Sequence, residues 1–146
     1  MNKTLKGIKT MNIINDIEIE KDWDLIIDNV EQVKPLFFKR KKDLFMIMDF
    51  KILEELLFAY KFTAEKSIES DGSITLTLNE IDLADNAEIE DEVKIKLAES
   101  ILEYSKDYYD EFEYWSSSLN RKSHIPYVFK ALALNDVSKI ADLIEC

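Results

Sequence analysis

One cysteine (Cys146), one histidine (His124), two glycines and two prolines are all that this 146-residue chain holds of the residues that most constrain chemistry and backbone. A single cysteine excludes a disulfide framework and a CxxC zinc site, as in proteins of a reducing cytoplasm. A single histidine, with no reactive cysteine context, excludes a Ser–His–Asp triad and a thiol–imidazole pair. His124 reads instead as a polar contact at a helix start. Two glycines cannot build a phosphate cradle, and no GxGxxG, Walker or GxSxG pattern occurs. No apolar run approaches about 18 residues, which argues against a membrane span. The N-terminal Lys3, Lys6 and Lys9 are not followed by the continuous apolar segment of a signal sequence. Met11 is a second candidate start, with residues 1–10 then a flexible leader. The acids Asp71, Glu80, Asp82, Asp85, Glu88, Glu90, Asp91 and Glu92 lack the EF-hand spacing. Several fall in loops or in a first helical turn, where carboxylates face the positive end of the helix dipole. These absences disfavour an enzyme and imply no metal or cofactor.

Hydrophobic residues make up 47% of the chain and aromatics 11%, which supports a packed core and opposes a disordered acidic tail. The formal net charge is −11, and it is unevenly spread. Through Phe62 there are 11 Lys and Arg against 11 Asp and Glu; after it there are 8 against 19. The whole excess of negative charge lies in the second part, a pattern of two surfaces with different partners. Against that trend, FFKRKKDLFMIMD, residues 37–49, places Lys39, Arg40, Lys41 and Lys42 in a row between two apolar runs.

Changes of hydrophobic period mark the elements. Residues 12–19 are β-branched and apolar-rich and predict a strand. Trp23, Ile26, Ile27 and Val30 recur at helical spacing, predicting a helix over 22–31 that closes before Pro35. Residues 37–39 and 44–48 predict two short strands around the basic turn, and Asp49 caps a helix over 50–60. Alternation of Phe62, Ala64, Lys66 and Ile68, then of Ile74, Leu76 and Leu78, predicts a β-hairpin turning at Asp71–Gly72. Ile89, Val93, Leu97, Ile101, Tyr104, Tyr108, Phe112 and Trp115 step by three or four, predicting one long helix over 88–115 on the hairpin's apolar face. The stripe Tyr104–Trp115 reads as core in preference to a base-stacking platform. Two shorter helices, over 126–134 and 137–144, end the chain, with Pro126 in a first turn where its missing N–H is not needed.

Two family resemblances build on these residues. FFKRKKDLFMIMDFKILEELL resembles the Phd/YefM antitoxin segment: an apolar strand, a basic turn, a second apolar strand, a capping residue and a helix. WDLIIDNV is similar to that family's first helix, with Pro35 near its usual proline. The likeness covers residues 11–60 and implies a unit that dimerises and represses its own operon by binding operator DNA. On this likeness Lys39 takes the turn's customary basic position, Lys41 replaces a usual glycine, Asp49 replaces a usual serine or threonine, and the pair Glu20 and Lys21 stands near an expected first-helix arginine. SIESDGSITLTLNEIDLADNAEIEDEVKIKLAESILEYSKDYY resembles the HicB-like antitoxin fold, which runs hairpin, strand or loop, then helix, but here without its glycine-rich strand and cysteine-containing loop.

The expected fold class is therefore α+β. A Phd/YefM-like dimerisation and DNA-binding unit over 11–60 precedes an acidic, HicB-like toxin-binding unit over 61–146. The expected function is that of a type II toxin–antitoxin system antitoxin and transcription repressor, a cytoplasmic homodimer binding a basic, ribonuclease-type toxin. Lys39, Arg40, Lys41, Lys42 and Lys21 are the candidate DNA contacts; Glu65, Glu69, Glu90 and Asp91 are the candidate partner contacts, as steering charges. A basic turn also suits a solvated hairpin or a protected sheet edge. The alternative is an acidic adaptor or immunity-type protein that binds a basic partner without DNA.

Overall fold

The computed structural model describes residues 4–5, 8–9 and 13–146. The fold is α+β and falls into two units, Met1–Leu53 and Glu54–Cys146. The leader expected over 1–10 lies largely outside the described residues; within it, β1 (Thr4–Leu5) pairs antiparallel with β2 (Ile8–Lys9).

In the first unit, β3 (Ile13–Asn15) leads into α1 (Asp16–Lys21) and α2 (Trp23–Gln32). The chain returns as the hairpin β4 (Leu36–Arg40) and β5 (Asp43–Ile47), and enters α3 (Phe50–Leu56). The sheet order is β3-β4-β5, with β3 parallel to β4 and β5 antiparallel to it. Ile26 and Val30, one turn apart on α2, are buried, and the rings of Phe38 and Phe45 stack at 5.1 Å across the hairpin. The strand expected over 12–19 is corrected: it ends at Asn15, and Asn12 lies outside the described residues. Asn15 pairs with Lys39, one residue before β4 ends. A longer strand would run past its partner with backbone groups unpaired, whereas a helix bonds its own.

Asp49 caps α3 as expected, its Oδ1 accepting from Lys51 N at 2.8 Å. The helix stops at Leu56, short of the expected Tyr60, and Leu57, the next residue, is buried. The Lys130 ammonium donates to the freed carbonyls of Leu57 and Tyr60.

The second unit opens with the predicted hairpin, β6 (Phe62–Ile68) and β7 (Ile74–Leu78), where Gly72 takes φ 86° at the turn. Then follow β8 (Ala84–Ala87), α4 (Glu90–Asp110), α5 (Phe112–Ser116), α6 (Leu119–Lys122), α7 (Ile125–Leu134), α8 (Val137–Leu143) and β9 (Ile144–Glu145). The sheet order is β8-β7-β6-β9, with β9 parallel to β6. Val93, Leu97 and Ile101 of α4 are fully buried with Phe62 and Leu76 of the sheet and Ile140 of α8. Full burial of such a side chain stabilises by about 1.5–3 kcal/mol. No helix among the described residues is long and apolar enough to cross a membrane.

The long helix expected over 88–115 is two helices. Ile89 is an exposed N-cap, and the backbone breaks at Glu111 with φ −115° and ψ 46°. Asp107, Asp110 and Glu111 crowd the negative end of α4, which has no basic residue in its last turn, an arrangement the dipole disfavours. After the break, Trp115 packs on Tyr108 with ring centroids 6.3 Å apart.

His124 sits at the start of α7 as the sequence suggests, yet it is 96% buried. Its Nδ1 lies 2.7 Å from the Tyr104 hydroxyl, which accepts from Arg121 Nη1 at 3.0 Å. A neutral imidazole unprotonated at Nδ1 accepts the hydroxyl proton, while the hydroxyl oxygen accepts from the guanidinium. Burial, and after it the Arg121 charge, pulls the His124 pKa below its ordinary value, with Asp82 acting the other way. The unfolded chain therefore takes up this proton more readily than the native one. His124 contributes its full stability above about pH 6.5 and loses it as pH falls through the lower native value. Urea midpoints measured from about pH 7.5 down to pH 5 should fall with pH, and His124→Gln should flatten that fall. Equal slopes in the two proteins would place the pH sensitivity elsewhere.

Candidate functional site

In the first unit, the pairing of Arg40 with Asp43 closes a two-residue loop of Lys41 and Lys42. All four basic side chains are exposed. Lys39 and Arg40 are successive strand residues and point to opposite faces of the sheet, while Lys41 and Lys42 form the tip. The four cations thus surround the hairpin end and do not share one face. Because Asn15 pairs with Lys39, α1 starts at this same end of the sheet; Lys21 is its exposed last residue.

Lys41 adopts φ 55°, a region that L-residues enter at a cost of about 1–2 kcal/mol and that glycine enters freely. Glycine's greater chain entropy offsets roughly 0.5–1 kcal/mol of the relief. Lys41→Gly should therefore stabilise the protein by up to about 1 kcal/mol and Lys41→Val should destabilise it. Urea unfolding should order the midpoints Gly, Lys, Val; a Val variant equal to the parent would show the turn unstrained.

In the second unit, Glu65 is exposed on the sheet face opposite the core residues Phe62 and Ala64. Glu69 is exposed at the turn and accepts from Ser67 Oγ at 3.2 Å, and Asp91 is exposed in the first turn of α4. Glu90 differs from these three. It is half-buried, accepts from Cys146 Sγ at 3.2 Å and pairs with Lys66 at 3.3 Å. The Cys146 contact first, then Lys66, holds its carboxyl below the usual range. Glu90 ties α4 to β6 and the chain end, and the four acids do not form one cluster.

Three further acids, Asp71, Glu80 and Asp85, have structural partners. Asp71 Oδ1 accepts from Ser73 Oγ at 2.6 Å and Ser73 N at 2.9 Å, bonds that lower its pKa. Glu80 Oε1 accepts from Thr63 N at 2.7 Å and its Oε2 from the Thr63 hydroxyl. Asp85 accepts from Ser100 Oγ at 2.7 Å. Among the described residues, no three His, Cys, Asp or Glu side chains gather as a metal site would need.

Sequence reasoning passed over the elbow between α4 and α5. There a cleft of about 580 Å³ is lined by Asp110, Glu111, Phe112, Glu113, Tyr114 and Ser117. Tyr109 and Tyr114 are 58% and 68% exposed. The signal is DYYDEFEY, residues 107–114, in which Tyr109 and Tyr114 fall off the stripe that carries Tyr108 and Phe112. Tyr108 is fully buried, and Tyr109, one residue on, faces solvent.

No curated protein matches this sequence. A solved structure from Syntrophomonas wolfei subsp. wolfei, described as the antitoxin part of a proposed toxin/antitoxin system, is 36% identical, with a TM-score of 0.85 over 92% of this chain and 96% of that one. Residues 11–146 match the model of the PHD_like family, described as the antitoxin of the RelE/RelB toxin–antitoxin system. The chain belongs to this family of toxin–antitoxin antitoxins.

Proposed function

We propose that the chain neutralises its cognate toxin by direct binding through the unit Glu54–Cys146, and represses its own operon as a homodimer that contacts operator DNA through the first unit. It is a regulatory protein of the cytoplasm, with no catalytic role. One observation carries this reading: the division of charge follows the division of the structure. Through Leu53 there are 10 basic and 9 acidic residues, a net of +1; from Glu54 there are 9 basic and 21 acidic, a net of −12. A near-neutral unit with a cationic turn can approach phosphate, while a strongly acidic unit suits a basic, ribonuclease-type toxin.

The order of strand, basic turn, strand, cap and helix supports the Phd/YefM-like character of the first unit. Hairpin, short strand and long helix support a HicB-like second unit. Dimerisation is supported by β5, the outer strand of its sheet, where Leu44, Phe45 and Met46 are 52%, 44% and 41% exposed. A second copy would cover these side chains and pair the strand's outer edge. Glu65, Glu69 and Asp91, with the elbow acids, are the steering charges for the toxin, and Glu90 contributes less because Lys66 already pairs with it. The splay of the four cations and the strained Lys41 favour one alternative, an acidic adaptor or immunity-type protein that binds a basic partner without DNA.

Two experiments separate these readings. Changing Lys39, Arg40, Lys41 and Lys42 together to Gln should weaken promoter binding and flatten its salt dependence, each lost phosphate contact removing about 0.9 from the log–log slope. Light scattering should give a dimer for parent and variant alike. Unchanged gel shifts would leave the turn to solubility, and a monomer would remove the dimer. In the second experiment, the fragment Glu54–Cys146, which keeps the Leu57 and Tyr60 carbonyls bound by Lys130, is co-expressed with the neighbouring toxin gene. Cells should survive, and association of the purified pair should slow with salt more than dissociation does. Death with the fragment and survival with the full chain would place neutralisation in the first unit.

A further inference from the structure

A cleft of about 160 Å³ opens within the second unit, between the turn that follows α3 and the helices α7 and α8. Phe58, Ala133, Leu134 and Leu143 give it an apolar wall, and Lys61, Lys130 and one acid, Glu54, complete its lining. The volume is close to the roughly 150 Å³ of an engineered apolar cavity that admits benzene, so it suits one aromatic or branched side chain. Phe58 is 69% exposed at the mouth.

The two cations are held in place before anything binds. Lys130 donates to the carbonyl of Leu57 at 3.4 Å and to that of Tyr60, which leaves one of its three N–H groups. Lys61 stands over the Phe58 ring, 4.6 Å from its centroid. Burial, and then the charge of Lys61, holds Lys130 below the ordinary lysine range, against the pull of Glu145. An anion seated between the two ammonium groups would relieve their repulsion, and fixed cations lose little side-chain entropy on meeting it. Within a unit of 9 basic and 21 acidic residues, most surface repels a carboxylate; here two cations outnumber one acid, Glu54, beside an apolar wall.

We propose that this cleft binds the C-terminal residue of a partner polypeptide, with an aromatic or branched side chain against Phe58 and Leu134 and its α-carboxylate between Lys61 and Lys130. A C-terminal residue carries the apolar group and the carboxylate on one Cα, whereas an internal acidic segment must supply them from two residues, and the cleft holds one. The site uses neither the basic turn nor the acidic face, so it stands apart from the antitoxin reading.

The test titrates acetyl-Gly-Gly-Phe, with a free C-terminus and as its amide, into isotope-labelled full-length protein observed by NMR. The free acid should shift the signals of Phe58, Lys61, Ala133 and Leu134, and the amide should bind about tenfold more weakly. Lys61→Gln, an exposed change whose spectrum should otherwise match the parent, should weaken the acid by about the same factor and leave the amide unaltered. Absence of shifts at millimolar peptide, equal binding of acid and amide, or indifference to Lys61→Gln would each overturn the proposal.

Discussion

Val93, Leu97 and Ile101 repeat every turn along α4, and their burial is the constraint on which the second unit is built. One face of that helix meets β7 and β8, and the helix also meets α7 and α8, so a single stripe joins sheet and helices. Sheet order follows from it. The hairpin needs cover on one face only, so its other face is free to carry polar and acidic residues such as Glu65 and Thr77. The pairing of β9 with β6 also depends on it, because Ile140 and Ile144 reach the same core from the far end of the chain. Buried hydroxyls on this frame are satisfied locally: Ser105 donates to Ile101 O at 2.7 Å, and Tyr108 to Arg121 O at 2.7 Å, whereas the buried Trp115 indole N–H has no partner among the described residues.

Where an element's period came from burial on one face, the sequence was legible. The hairpin around Gly72, α2 with Ile26 and Val30, and the stripe of α4 all repeat the spacing of a half-buried surface. Where a partner decided the outcome, or the backbone broke within an unbroken period, it was not. Ile17 and Ile19 alternate with acids as a strand would, but β3 runs out of partner beside Lys39, so the segment coils into α1. The aromatic steps from Tyr104 to Trp115 continue through Glu111, so the period carries no sign of the break that the backbone makes there. The strands β8 and β9, of four and two residues, owe their existence to neighbours and carry almost no local signal. At the candidate site, the basic turn was visible as composition, whereas the opposed faces of Lys39 and Arg40 required the strand register.

The acidic residues show why counting charge does not locate a surface. Asp71, Glu80 and Asp85 each receive a hydroxyl or backbone N–H nearby, and Glu90 receives Lys66 and Cys146. These carboxylates fix a turn, close the sheet and hold α4 against it. They still contribute to the long-range field, but their oxygens are committed, so a partner would have to displace those bonds to use them. Glu65, Asp91 and the residues of the α4–α5 elbow lie in the open, where a cationic partner meets no competing bond from the chain's own cations. Steering acts at a distance and counts every charge within reach of the screening length, whereas contact selects the uncommitted ones. The acidic unit therefore divides its carboxylates between holding its own shape and meeting a partner, and the elbow, where the helix dipole already disfavours them, has the least structural use for the charge it carries.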